Sequence, residues 1–252
     1  MHDTPVARGT PRHTEEAAPA HPADTRGLGV RIVRAAGWTL IWLGLLTLGF
    51  VAHQLWVTTW FAERNQAQLD EARTEYFATA EVVEVPFEPP AAEPDAEPLT
   101  LLAESSPPLG EAFALIRIPN IEALREGWNV VHGVRLSDLR NGAGHMPDTP
   151  LPGQPGNAVI SGHRTTYGAP FHDLDILVDG DRIEVDTAIG THVYEVRESF
   201  VVKPTDIWVT DPLPGGWLTL TTCEPKYSAR ERLIIQAELV DGPNAEVILA
   251  GL

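Results

Sequence analysis

The sequence predicts an all-β domain, a sandwich or closed barrel of short strands, carried behind one N-terminal membrane-spanning helix. Three observations predict it. An uncharged run of 28 residues, Ala35–Ala62, exceeds the roughly 20 that a bilayer-spanning helix needs. Beyond about Ala112, short apolar-alternating runs recur between Gly, Pro, Asp and Asn, the pattern of short strands joined by turns. Pro (22) and Gly (21) make up about a sixth of the 252 residues, too many for a helical bundle and too few for a chain disordered throughout.

Charge divides the chain at the apolar run. Residues 1–62 hold five Arg and four acids, while the remainder holds 13 basic and 31 acidic groups within an overall charge of −17. Arg26, Arg31 and Arg34 precede the run, and Glu63, Asp70 and Glu71 follow it. By the positive-inside rule residues 1–34 form a cytoplasmic tail, residues 35–62 the single span, and the bulk lies outside the cell membrane. A cleaved signal peptide fits less well. Its apolar region runs about 7–15 residues to a small-residue cleavage site, whereas Trp56, Trp60 and Phe61 continue this run as interfacial anchors.

Residues 63–80 read as a short polar helix leaving the membrane. Residues 81–110 carry seven Pro and seven acids with no Lys or Arg, which predicts an extended, self-repelling spacer. Residues 63–111 are thus helix and acidic linker, and 112–252 the β domain. Its candidate strands are Phe113–Ile118, Val130–Val134, Asn157–Ser161, Arg182–Val185, His192–Val196, Trp217–Thr222 and Leu233–Leu239. Asp179-Gly180-Asp181 marks a turn between two of them, and Pro170–Leu177 reads as one or two helical turns. Closing the strands into a barrel would leave no exposed edge.

Composition excludes several functions. A single Cys forbids a disulfide scaffold or a Cys-based zinc site within one chain. The acidic balance argues against nucleic acid, whose phosphates need clustered Lys and Arg. Asp173, Asp175, Asp179 and Asp181 do not fit the EF-hand loop, Ser161 lacks a nucleophile-elbow frame, and no metal or cofactor is expected.

Candidate chemistry sits at strand ends. In Trp217–Thr222, Leu218 and Leu220 alternate with Trp217, Thr219, Thr221 and, beyond the strand, Cys223; residues two apart share a face. The same count puts His163 opposite Ala158 and Ile160, and Arg232 opposite Leu233, Ile235, Ala237 and Leu239. Parity permits these three to meet without proving it. Together they could perform acyl transfer. The thiolate attacks a carbonyl, imidazole protonates the departing amine, and the guanidinium donates to the oxyanion. Each has a bland alternative: a small buried hydrophobe for Cys223, a structural histidine, and a surface ion pair of Arg232 with Glu231 or Glu224.

A resemblance bears on this choice. Thr219-Leu220-Thr221-Thr222-Cys223, followed nine residues after the Cys by Arg232-Leu233-Ile234, resembles the signature of the sortases, cell-wall cysteine transpeptidases built on an eight-stranded β-barrel. The segment Pro152–Arg164 resembles the stretch carrying their catalytic His, and Ile116-Arg117-Ile118-Pro119 their opening strand. The resemblance implies Cys223 as nucleophile, His163 as general acid/base and Arg232 as oxyanion stabiliser, with Thr222, Tyr167 and Ser161 as substrate-binding residues. It also implies cleavage of a C-terminal sorting signal between Thr and Gly and transfer of the secreted protein to a peptidoglycan-precursor amine of the lipid II type. Thr165–Phe171 and Pro225–Arg230 are most similar to class E members, which accept Leu-Ala-x-Thr-Gly more often than Leu-Pro-x-Thr-Gly. Two residues depart from the family pattern. Glu224 places an acid beside the nucleophile, which disfavours a thiolate, and His132 stands where Glu is usual.

The alternatives weighed are three. An L,D-type transpeptidase would carry Ser-His-Gly-Cys, absent here. A pilus-polymerising sortase would carry an Asp-Pro-aromatic lid, absent from residues 81–110, and often a second span, for which Val247–Leu252 is too short. A membrane-tethered binding module would leave Cys223 incidental.

Overall fold

The computed structural model describes residues 25–88 and 99–251. These fall into two compact units that divide between Leu48 and Gly49. Most of α1 (Thr25–Ala52) lies in the first unit. Its stretch Gly29–Ala52 is long and apolar enough to cross a membrane, and none of its most apolar window is buried. The apolar span begins before the expected Ala35 because Val30, Ile32 and Val33 are apolar enough to outweigh Arg31 and Arg34. Residues 1–24 of the expected cytoplasmic tail lie outside the described residues, and residues 25–34 belong to α1.

In the second unit the helix continues through a π-helical turn, His53–Val57, into α2 (Thr58–Thr79). As expected, residues 63–79 are helical, but α2 is docked rather than free. Gln66 Oε1 accepts from the Asn129 backbone N–H (3.0 Å), Asp70 accepts from the Asn129 side-chain amide (3.0 Å), and Arg73 donates to Asn129 Oδ1 (2.5 Å). Buried Ala62 and the edge of Tyr76 against Phe113 complete the contact with apolar packing.

Part of the segment expected to be an extended spacer instead forms a two-stranded sheet. Strands β1 (Val82–Phe87) and β2 (Leu99–Glu104) pair antiparallel from Val82↔Glu104 to Phe87↔Leu99, with residues 89–98 outside the described set. Val85, Phe87 and Leu101 supply apolar surface that the Pro and acid count outweighed, and Leu101 is buried. Pro86 is tolerated because β1 is an edge strand. Asn244 holds the hairpin in place, accepting from the Leu102 N–H (2.9 Å) and donating to the Leu102 and Gly153 carbonyls (2.9 Å each).

The remaining strands close into the expected eight-stranded barrel. They are β3 (Ala112–Arg117), β4 (Trp128–His132), β5 (Ala143–His145), β6 (Gly156–Ser161), β7 (Arg182–Thr187), β8 (Gly190–Val202), β9 (Gly216–Glu224) and β10 (Glu231–Asp241). Around the wall they run β10-β8-β7-β3-β4-β5-β6-β9 and back to β10. Two junctions, β4/β5 and β6/β9, are parallel and the others antiparallel. Short helices α3 (Leu136–Asn141) and α4 (Ala245–Ala250) and a 3₁₀ turn, Leu174–Ile176, complete the domain. The alternating residues Ala158, Ile160, Leu218, Leu220, Leu233, Ile235, Ala237 and Leu239 fill the core with Ile116, Val130, Ile183, Val185, Tyr194 and Val196.

The opposite face of β6, β9 and β10 is covered too. Val159, Thr219, Ile234 and Gln236 are buried, because the β8–β9 connection crosses over them. Asn157 donates to the Val209 carbonyl (3.0 Å), and the Phe200 and Trp208 rings stack at 5.7 Å. Only the strand ends escape this cover, and the candidate residues lie there.

Candidate active site

Strand β6 ends in Ser161-Gly162-His163. Its parallel pairing with β9, Ser161↔Thr221, continues with Gly162 N–H donating to the Thr221 carbonyl (3.1 Å). From within the barrel Thr222 Oγ1 donates to the Gly162 carbonyl (2.8 Å). His163 therefore leaves β6 beside the residue that follows Thr222, which is Cys223. Gly162 allows this because the buried Phe171 ring packs where a side chain would start: a Cβ there would meet Phe171 Cδ2 at 2.5 Å.

On the other flank, β9 and β10 pair antiparallel with Cys223 directly opposite Arg232, so both side chains project from one face. Arg232 Nη1 donates to the Ala229 (3.0 Å) and Glu231 (2.9 Å) carbonyls. The loop thus fixes the guanidinium, and among the described residues neither Nε nor Nη2 has a hydrogen-bond partner. Cys223 is free and half-buried. His163 and Cys223 share one cleft of about 520 Å³, walled by Thr165, Thr166, Tyr227, Ser228 and Ala229 and bordered by Phe50, Val51 and Gln54. Arg230, in contrast, is an exposed side chain 3.8 Å from Glu231.

Burial, and secondarily the positive charge of Arg140, holds the His163 imidazole below its ordinary pKa. The shift favours the neutral ring, the form able to accept a proton. Tyr167, in a left-handed backbone conformation (φ 53°), lays its ring 5.0 Å from that of His163, and the Arg140 guanidinium lies over the Tyr167 ring, 5.8 Å from its centroid. Ser161, half-buried, shares the face of His163 two residues on. Thr222 is different. It is buried on the face opposite Cys223, and its hydroxyl joins β9 to β6.

Glu224 was expected to burden the nucleophile with negative charge. Its carboxylate instead pairs with Arg164, whose side chain is only 2% exposed. Arg164 also donates to the Cys223 carbonyl (3.1 Å) and pairs with Asp175 (3.1 Å). Neither this buried arginine nor Arg140 on α3 is visible in the sequence pattern, which assigns arginine to the surface. Their only sequence signal is the adjacency of Arg164 to His163. His132 lies away from the cleft: it is buried between β4 and β5, with its Nδ1 3.1 Å from that of His145. Among the described residues no three His, Cys, Asp or Glu side chains converge as metal ligands; Asp173 and Asp175 both face Lys226.

A thiol and an imidazole in one cleft, with a guanidinium opposite the thiol in the neighbouring strand, can support nucleophilic acyl transfer. Known proteins agree with this chemistry. The sortase-domain family model matches residues 116–240. Sortase SrtE1 of Streptomyces coelicolor is 29% identical over 232 residues, which cover 85% of this chain and 59% of that relative, so the chain spans little more than half the relative's length. Sortase D of Bacillus subtilis is 32% identical over 142 residues, covering 55% of this chain and 69% of the relative. The crystal structure of Sortase E1 from Streptomyces coelicolor, with a tripeptide in its active site, superposes with a TM-score of 0.50 at 30% identity, covering 54% of this chain and 93% of that one. Barrel topology and sequence likeness thus agree, and the chain belongs to the sortase family, whose members are cysteine transpeptidases.

Proposed function

We propose that this chain is a membrane-anchored sortase that cleaves a C-terminal sorting signal of the Leu-Ala-x-Thr-Gly or Leu-Pro-x-Thr-Gly kind between Thr and Gly. It then transfers the protein to the amine of a peptidoglycan precursor. One observation carries the reading: Arg232 stands opposite Cys223 in register while the parallel β6/β9 pairing delivers His163 to the same cleft.

In the first step His163 accepts the Cys223 proton, and the thiolate attacks the Thr carbonyl carbon. Negative charge gathers on the carbonyl oxygen and is met by the Arg232 guanidinium, already fixed by its loop carbonyls. Collapse breaks the C–N bond, and His163 returns its proton to the departing Gly amine. In the second step His163 takes a proton from the acceptor amine as it attacks the thioacyl carbonyl. The new C–N bond forms, the C–S bond breaks, and the thiolate is released. Tyr167 and Ser161 border the substrate beside His163, and Thr222 contributes by holding the two strands together.

The Arg-rich residues before the apolar span support a cytoplasmic N-terminus and a barrel outside. Exposed Trp56, Trp60 and Phe61 fit an interfacial belt where the span ends. The class E likeness favours Ala at the second signal position.

Mass spectrometry of the full chain incubated with a panel of sorting peptides tests the reading. A thioacyl adduct on Cys223, absent in Cys223→Ala, is the expected result. A wild-type chain that forms no adduct with any peptide of this class overturns it.

A further inference from the structure

We propose that Arg164 is a positioning residue of this site: its buried guanidinium holds the nucleophile strand against the strand carrying His163 and neutralises Glu224, the acid that follows Cys223. This rests on the reading of Cys223 and His163 given above.

An arginine this deeply buried must have its charge paired and its N–H groups bonded. Arg164 meets that requirement entirely with groups of the site's own loops. Nε donates to the His172 carbonyl (3.3 Å), Nη1 to the Cys223 carbonyl (3.1 Å) and to the Glu224 carboxylate, and Nη2 reaches Asp175 (3.1 Å). In return the His172 ring Nδ1 donates to the Arg164 carbonyl (2.7 Å). One rigid planar group is therefore one residue from the general base and one hydrogen bond from the nucleophile's own backbone. Lys226 extends the chain of charges to Asp175 (3.4 Å) and Asp173 (3.0 Å). The segments after His163 and after Cys223 are thereby tied together at two places. A lysine at 164 could supply the charge but not the planar fork that reaches all four partners.

The charge matters because Glu224 is covalently adjacent to Cys223. Unanswered, a carboxylate there opposes formation of a thiolate. The charged and titratable groups around the thiol come from four elements. The β6 end gives His163 and Arg164. The loop beyond it gives Tyr167, His172, Asp173 and Asp175. The end of β9, the start of β10 and the turn between them give Glu224, Lys226, Tyr227, Arg230, Glu231 and Arg232. Helix α3 gives Arg140. The helical segment bordering the cleft contributes Phe50, Val51 and Gln54, all uncharged. Among the described residues only the Arg164 side chain bonds both to the Cys223 backbone and to the neighbouring acid.

The chain has one cysteine, so alkylation by iodoacetamide reports on Cys223 alone and needs no substrate. The full chain in detergent is compared as wild type, Arg164→Met, Glu224→Gln, the double variant and Arg164→Lys, with peptide acylation measured in parallel. Arg164→Met should alkylate about tenfold more slowly at pH 7, as expected for an unpaired anion one residue from the thiol. Glu224→Gln alone should alkylate faster than wild type. The double variant should return to within about threefold of the wild-type alkylation rate, because the anion is gone. Its acylation should stay roughly 10–100-fold down, because the strands are no longer held in register. Arg164→Lys should recover alkylation more fully than acylation. A folded Arg164→Met that alkylates at the wild-type rate overturns the proposal. If that variant fails to fold, Glu224→Gln decides, and an unchanged alkylation rate overturns it. A wild type that alkylates as described but forms no peptide adduct removes the transpeptidase reading and leaves the Arg164 result standing.

Discussion

Replacing Glu104 with Gln should flatten the dependence of stability on pH. Glu104 ends β2 and is buried against the β7–β8 turn, where Oε2 accepts from the Ala188 N–H (2.9 Å) and Oε1 has no hydrogen-bond partner among the described residues. Burial pushes its carboxyl up to about 7 from an ordinary 4.5. Between those values the folded chain holds a proton that the unfolded chain has lost, so stability falls as pH rises from about 4.5 to about 7. At 1.36 kcal/mol per unit the whole loss is on the order of 3 kcal/mol, complete by about pH 8. For a chain of this size that corresponds to roughly 6–12 °C in Tm. Burial holds His145 and His192 down to about 4, which works in the opposite sense: their contribution rises with pH between about 4 and 6.5. They are common to both proteins and cancel in the difference. Thermal unfolding of wild type and Glu104→Gln in the same detergent, at pH 5 and pH 8, therefore isolates one carboxyl. The gap between the variants should open in favour of Gln as pH rises. A gap that stays constant from pH 5 to 8 would refute the reasoning.

Arg232→Ala should lower kcat/KM for peptide cleavage by about 10²–10³, the worth of one preorganised oxyanion donor, whereas Arg230→Ala should cost less than tenfold; the reverse order in a kinetic assay would contradict the β9–β10 register. Gly162→Ala should drive a methyl into the Phe171 ring and cost about 1–3 kcal/mol in denaturant unfolding, with a loss of activity measured under conditions where the variant remains folded. Arg140→Gln removes the cation that helps hold His163 down. The limb of the pH–rate profile set by neutral imidazole should then move to higher pH, and an unmoved limb would mean that Arg140 does not act on His163.

Much of the barrel was legible because alternation survives where one strand face is buried, as in Ala158/Ile160 and Leu218/Leu220. Strand β5, Ala143–His145, was not. Three residues carry no period, and their pairing with β4 and β6 is set by neighbours. The hairpin escaped because its stability depends on Asn244, some 140 residues away, which no local composition can register. Burial of Val159, Thr219 and Ile234 likewise comes from a connection crossing the sheet. For the candidate site, parity placed Cys223, His163 and Arg232 at strand ends, and the resemblance named their roles. Which residues face one another depends on register, which parity does not contain. Arg164 was invisible for a physical reason: a buried arginine is permitted only by acids contributed from other loops, here Glu224 and Asp175.

The parallel junction of β6 and β9 also bears on how the chain comes to be reactive at all. Ser161 and Thr221 are 60 positions apart in sequence, and β7 and β8 occupy a different stretch of the wall. Pairings this distant form late and slowly compared with local hairpins. Until the cylinder closes, the sulfur and the imidazole belong to separate, uncoordinated lengths of chain. An unfinished polypeptide therefore carries an unassisted thiol, and nucleophilic power arrives only when the β6/β9 seam has formed.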